Sequence, residues 1–354
     1  MLIRPGHKKL QYSGRIDFSR ADAPVFVYPC TSVRIRFTGD LLNVLLRNRH
    51  QYWENYIGYI ADGQQGKVLL EEEMSHVGNQ EEGCLIYRIP LDPSKDIHDV
   101  LIFKRQDACH EVTFFGFEID DGEEVLDLPP VPQRRIEVYG DSVSAGEVSE
   151  AVDYVGKPDP EHNGQYSNSW YSYAWMTARR LGAQIHDVAQ GGIALLDGTG
   201  WFNEPDYIGM ETVWDKVHYN PAFGQKTEWD FTQYIPQVVI TAIGQNDSHP
   251  EDYMKEDYNC PLSVRWRSSY GAWLKKIRRQ YPEAWIICIT TILEHDFSWD
   301  QSIDEVCTSM KDEKIRHFVF RRNGNGTPGH LRTAEAEEMA EELAAYIESL
   351  EIAW

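Results

Sequence analysis

A proline-rich stretch divides this chain into two segments of different character. Residues 127–135 read Asp-Leu-Pro-Pro-Val-Pro-Gln-Arg-Arg, and three prolines so close together can continue neither a helix nor a central strand. The stretch therefore predicts a linker at 129–134, which joins one domain at 1–128 to a second domain at 135–354. A chain of 354 residues is also long for a single domain.

Short β-type runs fill the first segment. Between Val33 and Phe37, apolar residues alternate with Arg34 and Arg36, which is the period-two pattern of a strand with one buried face. Turn residues such as those at 61–63 separate the runs, and helical periodicity is almost absent. These features predict a β-sandwich of the jelly-roll type, with strands near 33–37, 42–46, 56–60, 84–89, 99–103 and 112–117.

Strands and helices alternate in the second segment. Apolar and β-branched runs predict the strands of a parallel sheet covered on both faces, at 136–139, 184–188, 238–243, 285–291 and 316–320. Apolar residues at helical spacing predict one helix near 270–281 and a last helix that starts near Thr333, its expected N-cap. The expected fold is an α/β/α sandwich with a five-stranded parallel sheet, and such sheets bind ligands at the carboxyl ends of their strands.

Charge and composition narrow the classes of partner. Lys plus Arg number 34 against 56 Asp plus Glu, and the net charge of -22 argues against attraction to nucleic acid or to an anionic membrane. The apolar runs are too short to span a bilayer, and the first residues contain no signal-peptide core, so a cytoplasmic location is expected. No His or Cys spacing typical of a metal site, no P-loop and no dinucleotide-binding motif occurs. Neither a metal nor a cofactor is therefore expected.

Three short pieces of sequence carry the candidate chemistry. Ser142 lies in Gly140–Gly146 after the first predicted strand, Asn246 lies in Gly244–Asp247 after the third, and His330 lies in a glycine-rich loop before the last helix. Taken singly, each residue has a non-catalytic interpretation: the serine caps a helix, the asparagine stabilises a turn and the histidine lies on the surface. Taken together, they supply a nucleophile, an amide donor and a base at one edge of a sheet, as attack on an ester carbonyl requires.

The set resembles the SGNH (GDSL-type) hydrolase superfamily, whose serine, glycine, asparagine and histidine come from four sequence blocks in this order. The matching residues are Ser142, Gly192, Asn246 and His330. Gly192 is preferred to Gly191 because the superfamily places its glycine second in a pair of small residues after a strand. The resemblance implies Ser142 and His330 as catalytic residues, with an oxyanion hole formed by the Ser142 backbone, Gly192 and Asn246.

The order of the segments is similar to that of carbohydrate esterase family two. In that family a β-rich domain and a short proline-rich linker precede an SGNH domain, and its members remove acetyl groups from polysaccharides such as xylan and mannan. The resemblance implies an O-acetyl esterase that acts through a serine acyl-enzyme on acetylated xylan or mannan oligosaccharides. The sequence leaves the oligomeric state open.

One position departs from the superfamily. An aspartate usually stands three residues before the histidine and orients its ring, but here that position is Thr327, followed by Pro328. The backbone carbonyl of Thr327 or Pro328 is the preferred acceptor for the ring N–H, which makes a Ser-His dyad the expectation. Asp296 or Asp300, after the fourth predicted strand, is the alternative third member.

Two other functions stay open. A non-catalytic carbohydrate-binding protein with a degenerate hydrolase domain is favoured by the missing aspartate. The second alternative is a short-chain lipase or thioesterase of the same superfamily, which would prefer acyl chains longer than acetyl. Several tryptophans follow the nucleophile, and some are candidates for lining a glycan groove, whereas Trp175 is expected in the core. The tryptophans in question are Trp170, Trp175, Trp201, Trp214 and Trp229.

Overall fold

Antiparallel strands make up the N-terminal region. The computed structural model describes residues 1–71 and 83–354. The strands of the N-terminal region are β1 (Leu2–Ile3), β2 (Gln11–Ser13), β3 (Ile16–Asp17), β4 (Val25–Phe26), β5 (Ser32–Thr38), β6 (Leu42–His50), β7 (Tyr56–Ala61), β8 (Gln64–Leu69), β9 (Leu85–Arg88), β10 (Ile97–Lys104) and β11 (His110–Ile119). One sheet has the order β3-β4-β11-β6-β9, with β1 also beside β11, and the other has the order β2-β5-β10-β7-β8.

The two antiparallel sheets pack face to face around one apolar core. Along β5, Val33, Ile35 and Phe37 are fully buried, whereas Arg34 and Arg36 are only half-buried. The opposite sheet adds a matching set of buried residues, which includes Leu42, Val44, Leu46, Val112, Phe114 and Phe117. The period-two pattern of the sequence therefore reports the buried face correctly, and the expected β-sandwich is confirmed. The jelly-roll connectivity stays a prediction.

The C-terminal region alternates strands with helices. Its strands are β12 (Arg134–Gly140), β13 (Ala183–Ala189), β14 (Lys216–His218), β15 (Thr227–Glu228), β16 (Val238–Ala242), β17 (Trp285–Ile289) and β18 (Ile315–His317). Its helices are α1 (Ser142–Ala145), α2 (Tyr173–Arg180), α3 (Met210–Val213), α4 (Tyr253–Glu256), α5 (Pro261–Gln280), α6 (Phe297–Met310) and α7 (Thr333–Ser349).

A five-stranded parallel sheet organises this region. Its order is β13-β12-β16-β17-β18, and all four neighbouring pairs are parallel. Helices α2 and α7 pack on one face, whereas α5 and α6 pack on the other. The expected α/β/α sandwich is therefore confirmed. The strand order reverses between β12 and β16, and the crevice at such a point is where open α/β sheets bind ligands.

The predicted helices are correct in place and incomplete in extent. The helix predicted near 270–281 is the end of α5, which begins at Pro261, a residue suited to the first helical turn. The predicted N-cap of α7 is wrong by one residue. Arg332 is the N-cap, and its backbone N–H donates to the Glu335 side chain at 2.9 Å. Thr333 is the first residue inside the helix.

A buried ion pair joins the sandwich to the parallel sheet. Arg15, from the N-terminal region, is fully buried and donates to Glu137 on β12 at 3.0 Å. It also donates to the Tyr139 hydroxyl at 2.8 Å and to the Trp214 carbonyl at 2.7 Å. The two regions therefore share a packed interface, while the predicted domain limits at 128 and 135 stay a prediction. In the two described ranges, no helix has both the length and the apolar character needed to cross a membrane.

Candidate active site

The candidate nucleophile lies at the turn that follows the first strand of the parallel sheet. β12 ends at Gly140, and Ser142 is the first residue of α1. Gly140 is required here because a Cβ at this position would lie 2.0 Å from Ser144 Oγ. Asp141 caps the helix by accepting the Val143 N–H at 3.0 Å. This turn presents the Ser142 hydroxyl at the carboxyl edge of the sheet.

Ser142, His330 and Asp159 form a continuous hydrogen-bonded chain. His330 Nε2 lies 2.8 Å from Ser142 Oγ, and His330 Nδ1 lies 2.5 Å from Asp159 Oδ2. Because an ionised carboxylate can only accept, the ring proton belongs on Nδ1, and Nε2 is left to accept from the serine hydroxyl. A histidine held in this tautomer can act as the general base for the serine.

Asp159 replaces the expected acceptor of the His330 ring N–H. The expectation that a carbonyl of Thr327 or Pro328 fills this role is wrong, because a side-chain carboxylate occupies the position instead. The two alternative aspartates lie elsewhere: Asp296 caps α6, and Asp300 pairs with two other histidines. The arrangement is a triad rather than a dyad, and its aspartate comes from 171 residues before the histidine.

Neighbouring residues hold Asp159 in place and keep it ionised. Its Oδ1 accepts the His330 backbone N–H at 2.9 Å and lies 2.9 Å from Arg332 Nη2. Gly329 permits this approach, since a Cβ there would lie 2.7 Å from Oδ1. Burial raises the pKa of Asp159, but the hydrogen bond and the charges of His330 and Arg332 outweigh it and hold the pKa well below its usual range. The carboxylate is therefore negative at neutral pH.

Two backbone N–H groups beside the serine are suited to hold an oxyanion. Within the described ranges, neither the Ser142 N–H nor the Gly192 N–H donates to another group, whereas the Gly191 N–H donates to Asp107 at 2.6 Å. Gly192 has φ of 71°, and a Cβ there would lie 2.7 Å from the Cβ of Trp201. The geometry supports Gly192 rather than Gly191 as the donor.

Asn246 lies beside the serine, but its amide is already engaged. Its Nδ2 lies 3.0 Å from Asp141 Oδ2 and 3.1 Å from the Ile193 carbonyl. Gln245 donates to the same Asp141 oxygen at 2.7 Å. Asp141 therefore ties the turn after β12 to the turn after β16. The oxyanion role of Asn246 stays a prediction, and it requires the amide to turn away from one of its two acceptors.

Carboxylates surround His330 and favour its protonated form. Burial lowers the pKa of His330, but the charges of Glu147 and Asp159 outweigh it and raise the pKa to about 9. Burial raises the pKa of Glu147 to about 7, with the nearby His330 opposing and Asp107 and Asp159 adding to the shift. Burial also raises the pKa of Asp141 to about 6. Asp141 lies within the serine piece and Glu147 directly follows it, but only the structure shows that both are close enough to act on the histidine.

Ser142 and His330 open into one pocket of about 360 Å³, which is lined by residues from both regions of the chain. Its lining is Tyr52, Trp53, Ser142, Glu147, Gly191, Gly192, Trp201, Phe202, Asn203, Asn246, Leu293 and His330. Trp201 is 57% exposed and stacks on His249, with ring centroids 3.3 Å apart. Trp175 is buried, as expected, and so are Trp214 and Trp229. An exposed indole at the pocket is suited to contact a sugar ring.

A larger groove and one group of possible metal ligands include neither Ser142 nor His330. The groove, of about 820 Å³, is on the second sheet of the sandwich, and its lining includes Arg34, Arg36 and Trp170 but not the serine or the histidine. In the described ranges, Asp107, Cys109 and His110 place ligand atoms within 4.8 Å of one another. Asp107 is already committed to the Gly191 N–H and to the Gln190 amide.

Comparisons with known proteins agree with this fold. Residues 12–129 match the family described as Carbohydrate esterase 2 N-terminal. The cellulase/esterase CelE of Acetivibrio thermocellus is 26% identical over 96% of this chain. The acetylxylan esterase / glucomannan deacetylase of Cellvibrio japonicus is 32% identical over 55% of it. A solved family two carbohydrate esterase from Clostridium thermocellum, in complex with cellohexaose, superposes with a TM-score of 0.78.

The predicted resemblance to carbohydrate esterase family two is confirmed. The Clostridium thermocellum structure is 24% identical and covers 96% of this chain and 98% of its own, so it shows a shared fold over nearly the whole length. The chain spans only 39% of the CelE relative and 50% of the Cellvibrio japonicus relative. The expectation of a carboxylic ester hydrolase agrees with the names of both relatives.

Proposed function

We propose that this protein is an O-acetyl esterase for acetylated xylan or mannan oligosaccharides and that it acts through an acyl-enzyme on Ser142. The proposal is carried by the hydrogen-bonded chain from Asp159 through His330 to Ser142, beside the unengaged N–H groups of Ser142 and Gly192. The substrate class is supported by one relative, named as an acetylxylan esterase and glucomannan deacetylase, and by another solved with cellohexaose.

The proposed reaction proceeds in two steps. Ser142 Oγ attacks the acetyl carbonyl while its proton passes to His330 Nε2, and the carbonyl electrons move to the oxygen, which the N–H groups of Ser142 and Gly192 hold. As the tetrahedral adduct collapses, His330 gives the proton to the departing sugar oxygen. Water then attacks the acetyl-serine with His330 as base. Acetate leaves, and Ser142 regains its proton.

The two alternative functions have less support. The missing aspartate was the feature that favoured a degenerate binding protein, and Asp159 removes it by filling the same position on the ring. A lipase or thioesterase needs an apolar channel for a long acyl chain, whereas the lining of this pocket of about 360 Å³ includes the polar side chains of Glu147, Asn203 and Asn246. A cytoplasmic location stays a prediction from the sequence.

Hydrolysis of acetate esters tests the proposal. The purified protein should release acetate from acetylated xylo- and manno-oligosaccharides and should cleave p-nitrophenyl acetate much faster than the octanoate. Ser142→Ala should lose several orders of magnitude in kcat, and a serine-directed phosphonate should label Ser142 by mass spectrometry. Sugar binding without hydrolysis by the wild-type protein would support the binding-protein alternative. Faster cleavage of octanoate would support the lipase.

A further inference from the structure

Among the residues that the structure describes, Glu147 is the only acidic one that lines the pocket, and the reaction described above gives it no step. Its carboxyl lines the pocket, and the side chain is only 11% exposed. Within the described ranges, this carboxyl accepts no hydrogen bond from a protein group, and its Oε1 lies 3.9 Å from His330 Nε2. A nearly buried carboxyl without a hydrogen-bond donor costs stability, so its presence calls for a partner that arrives with the substrate.

The backbone fixes the position of Glu147. Gly146 adopts the left-handed conformation at the end of α1, with φ of 76°. The Glu147 N–H then donates back to the Ser142 carbonyl at 3.0 Å, and the Gly146 N–H donates to Val143 at 3.2 Å. These paired bonds are the usual C-terminal helix cap, and they hold the residue that follows the glycine in a defined direction. The short helix that presents the nucleophile therefore also presents Glu147.

The second oxygen of this carboxyl, Oε2, lies close to the backbone of Gly191. A Cβ on Gly191 would lie 3.1 Å from Glu147 Oε2, so the bare glycine backbone gives this oxygen room. Asp141 and Asp159 are the other carboxylates whose charges act on His330, Asp107 is a further carboxylate whose charge acts on Glu147, and Arg332 Nη2 lies 2.9 Å from Asp159 Oδ1. Asp107, Asp141 and Asp159 accept hydrogen bonds from protein groups. Glu147 is therefore the carboxyl available to an incoming donor.

We propose that Glu147 accepts a hydrogen bond from a sugar hydroxyl adjacent to the acetylated position, and so selects substrates with a free neighbouring hydroxyl. This inference rests on the proposed esterase function. The departing sugar oxygen must come within hydrogen-bond distance of His330 Nε2 to receive its proton. The oxygens on neighbouring carbons of a sugar ring lie about one hydrogen-bond length apart. A carboxylate oxygen 3.9 Å from Nε2 is within reach of that second hydroxyl.

The chemistry of the contact distinguishes it from a purely electrostatic role. A carboxylate that only stabilises the imidazolium affects every ester in the same way, because each one passes through the same protonated His330. A carboxylate that binds a hydroxyl affects only esters that carry this hydroxyl. Nitrophenyl acetate has no such group, whereas a monoacetylated methyl xyloside with a free neighbouring hydroxyl has one.

The experiment compares these two esters in Glu147→Ala, Glu147→Gln and the wild-type protein. Limiting kcat/KM values are taken from the alkaline plateau of the pH profile, where His330 is neutral in every variant. On the monoacetylated xyloside, Glu147→Ala should lose about 10- to 100-fold, since a hydrogen bond to a charged group is removed. Glu147→Gln should lose less, because its amide oxygen still accepts. On nitrophenyl acetate both variants lose only the effect of the Glu147 charge on His330, so the loss in Glu147→Ala should be at least about tenfold smaller there than on the xyloside.

Controls separate the possible outcomes. Asp153→Asn removes an exposed carboxylate on the same segment and should leave both substrates unaffected. Equal losses on both esters would overturn the hydroxyl contact and leave Glu147 acting through His330. No loss on either ester would overturn any role for it. A wild-type protein inactive on both esters would refute the proposed function itself. A melting temperature within a few degrees of wild type shows that each variant is folded.

Discussion

Exchange of Asp159 gives the sharpest test of the triad, because two different substitutions should have effects of very different size. Asp159→Ala removes the acceptor of the His330 ring N–H. Asp159→Asn keeps the shape and one acceptor but changes the other oxygen to a donor. Asp159→Asn changes the size of the side chain less than Asp159→Ala does, but it should lower kcat more, because of the hydrogen bonds that Asp159 makes.

Asp159 accepts through both oxygens, and the donors are not equally distributed. Oδ1 faces two N–H groups, from the His330 backbone and from Arg332, each at 2.9 Å. Among the described residues, the one donor to Oδ2 is His330 Nδ1, at 2.5 Å. In Asp159→Asn the remaining oxygen must stay in the first position, because an NH2 there would point at two donors. The NH2 then takes the second position and donates to Nδ1. The ring proton moves to Nε2, which can no longer accept from Ser142.

The magnitudes follow from this arrangement. The pKa of His330 is raised from 6.5 to about 9, and at about 1.4 kcal/mol per unit this corresponds to ~3 kcal/mol of imidazolium stabilisation shared among its acidic neighbours. The part contributed by Asp159, as a hydrogen bond to a charged group, is about 1.5–3 kcal/mol. Asp159→Ala should therefore lower kcat about 10- to 100-fold. Asp159→Asn, which fixes the wrong tautomer, should lower it by about 10³- to 10⁴-fold.

The assay is kcat for p-nitrophenyl acetate and for an acetylated xylo-oligosaccharide, with Glu161→Gln as the control for an exposed carboxylate on the same loop. The ¹⁵N shifts of the His330 ring give a readout independent of rate. At a pH above the His330 pKa of about 9, where the ring is neutral, they should report a proton on Nδ1 in the wild-type protein and on Nε2 in Asp159→Asn. An asparagine variant as active as the alanine variant, or without a change of tautomer, would refute the reasoning.

Three further outcomes follow from the same site. Gly329→Ala should lower kcat at least tenfold without a large change in KM, because its Cβ would lie 2.7 Å from Asp159 Oδ1 and displace it; an unchanged kcat would contradict this. The wild-type kcat/KM on p-nitrophenyl acetate should rise with pH, with a midpoint near 9, the pKa of His330. Glu147→Gln should lower that midpoint, because it removes a negative charge that favours the imidazolium, and a higher midpoint would contradict this. Asn246→Ala should lower kcat by two to three decades, about 3–4 kcal/mol of barrier, if its amide turns to the oxyanion, and a loss below tenfold would assign Asn246 to holding Asp141 instead.

The parts of the site that lie at strand ends could be predicted from the sequence. Ser142 and Asn246 each follow an apolar run that reads as a buried parallel strand, and the carboxyl ends of such strands meet at one edge of the sheet. His330 could be paired with them through the order of the sequence blocks. The parallel pairing of β12 with β16 then brings Ser142 and Asn246 to the same edge of the sheet, whereas the position of His330 depends on the loop before α7.

The two further carboxylates could not be predicted in the same way. Asp159 lies in a loop at 155–164 that contains two prolines and two glycines, where no periodic pattern fixes the direction of a side chain. Its contact with His330 depends on tertiary packing across 171 residues and on the space left by Gly329. Glu147 follows the nucleophile closely in sequence. Its direction depends on the left-handed turn at Gly146, whose consequence for the pocket is visible only in three dimensions.

Asp159 and Glu147 lie on opposite sides of the His330 ring, which must accept the serine proton and then deliver it to the departing oxygen. Asp159 lies at Nδ1, away from the reacting atoms, and fixes the tautomer that leaves Nε2 to accept the serine proton. Glu147 lies on the Nε2 side, where the proton is delivered to the departing oxygen. A site with a backbone carbonyl in place of Asp159 would fix the tautomer but stabilise the imidazolium less. With carboxylates on both sides, the protonated ring is stabilised throughout the proton transfer. In the proposed reaction, the side that faces the substrate also recognises the sugar.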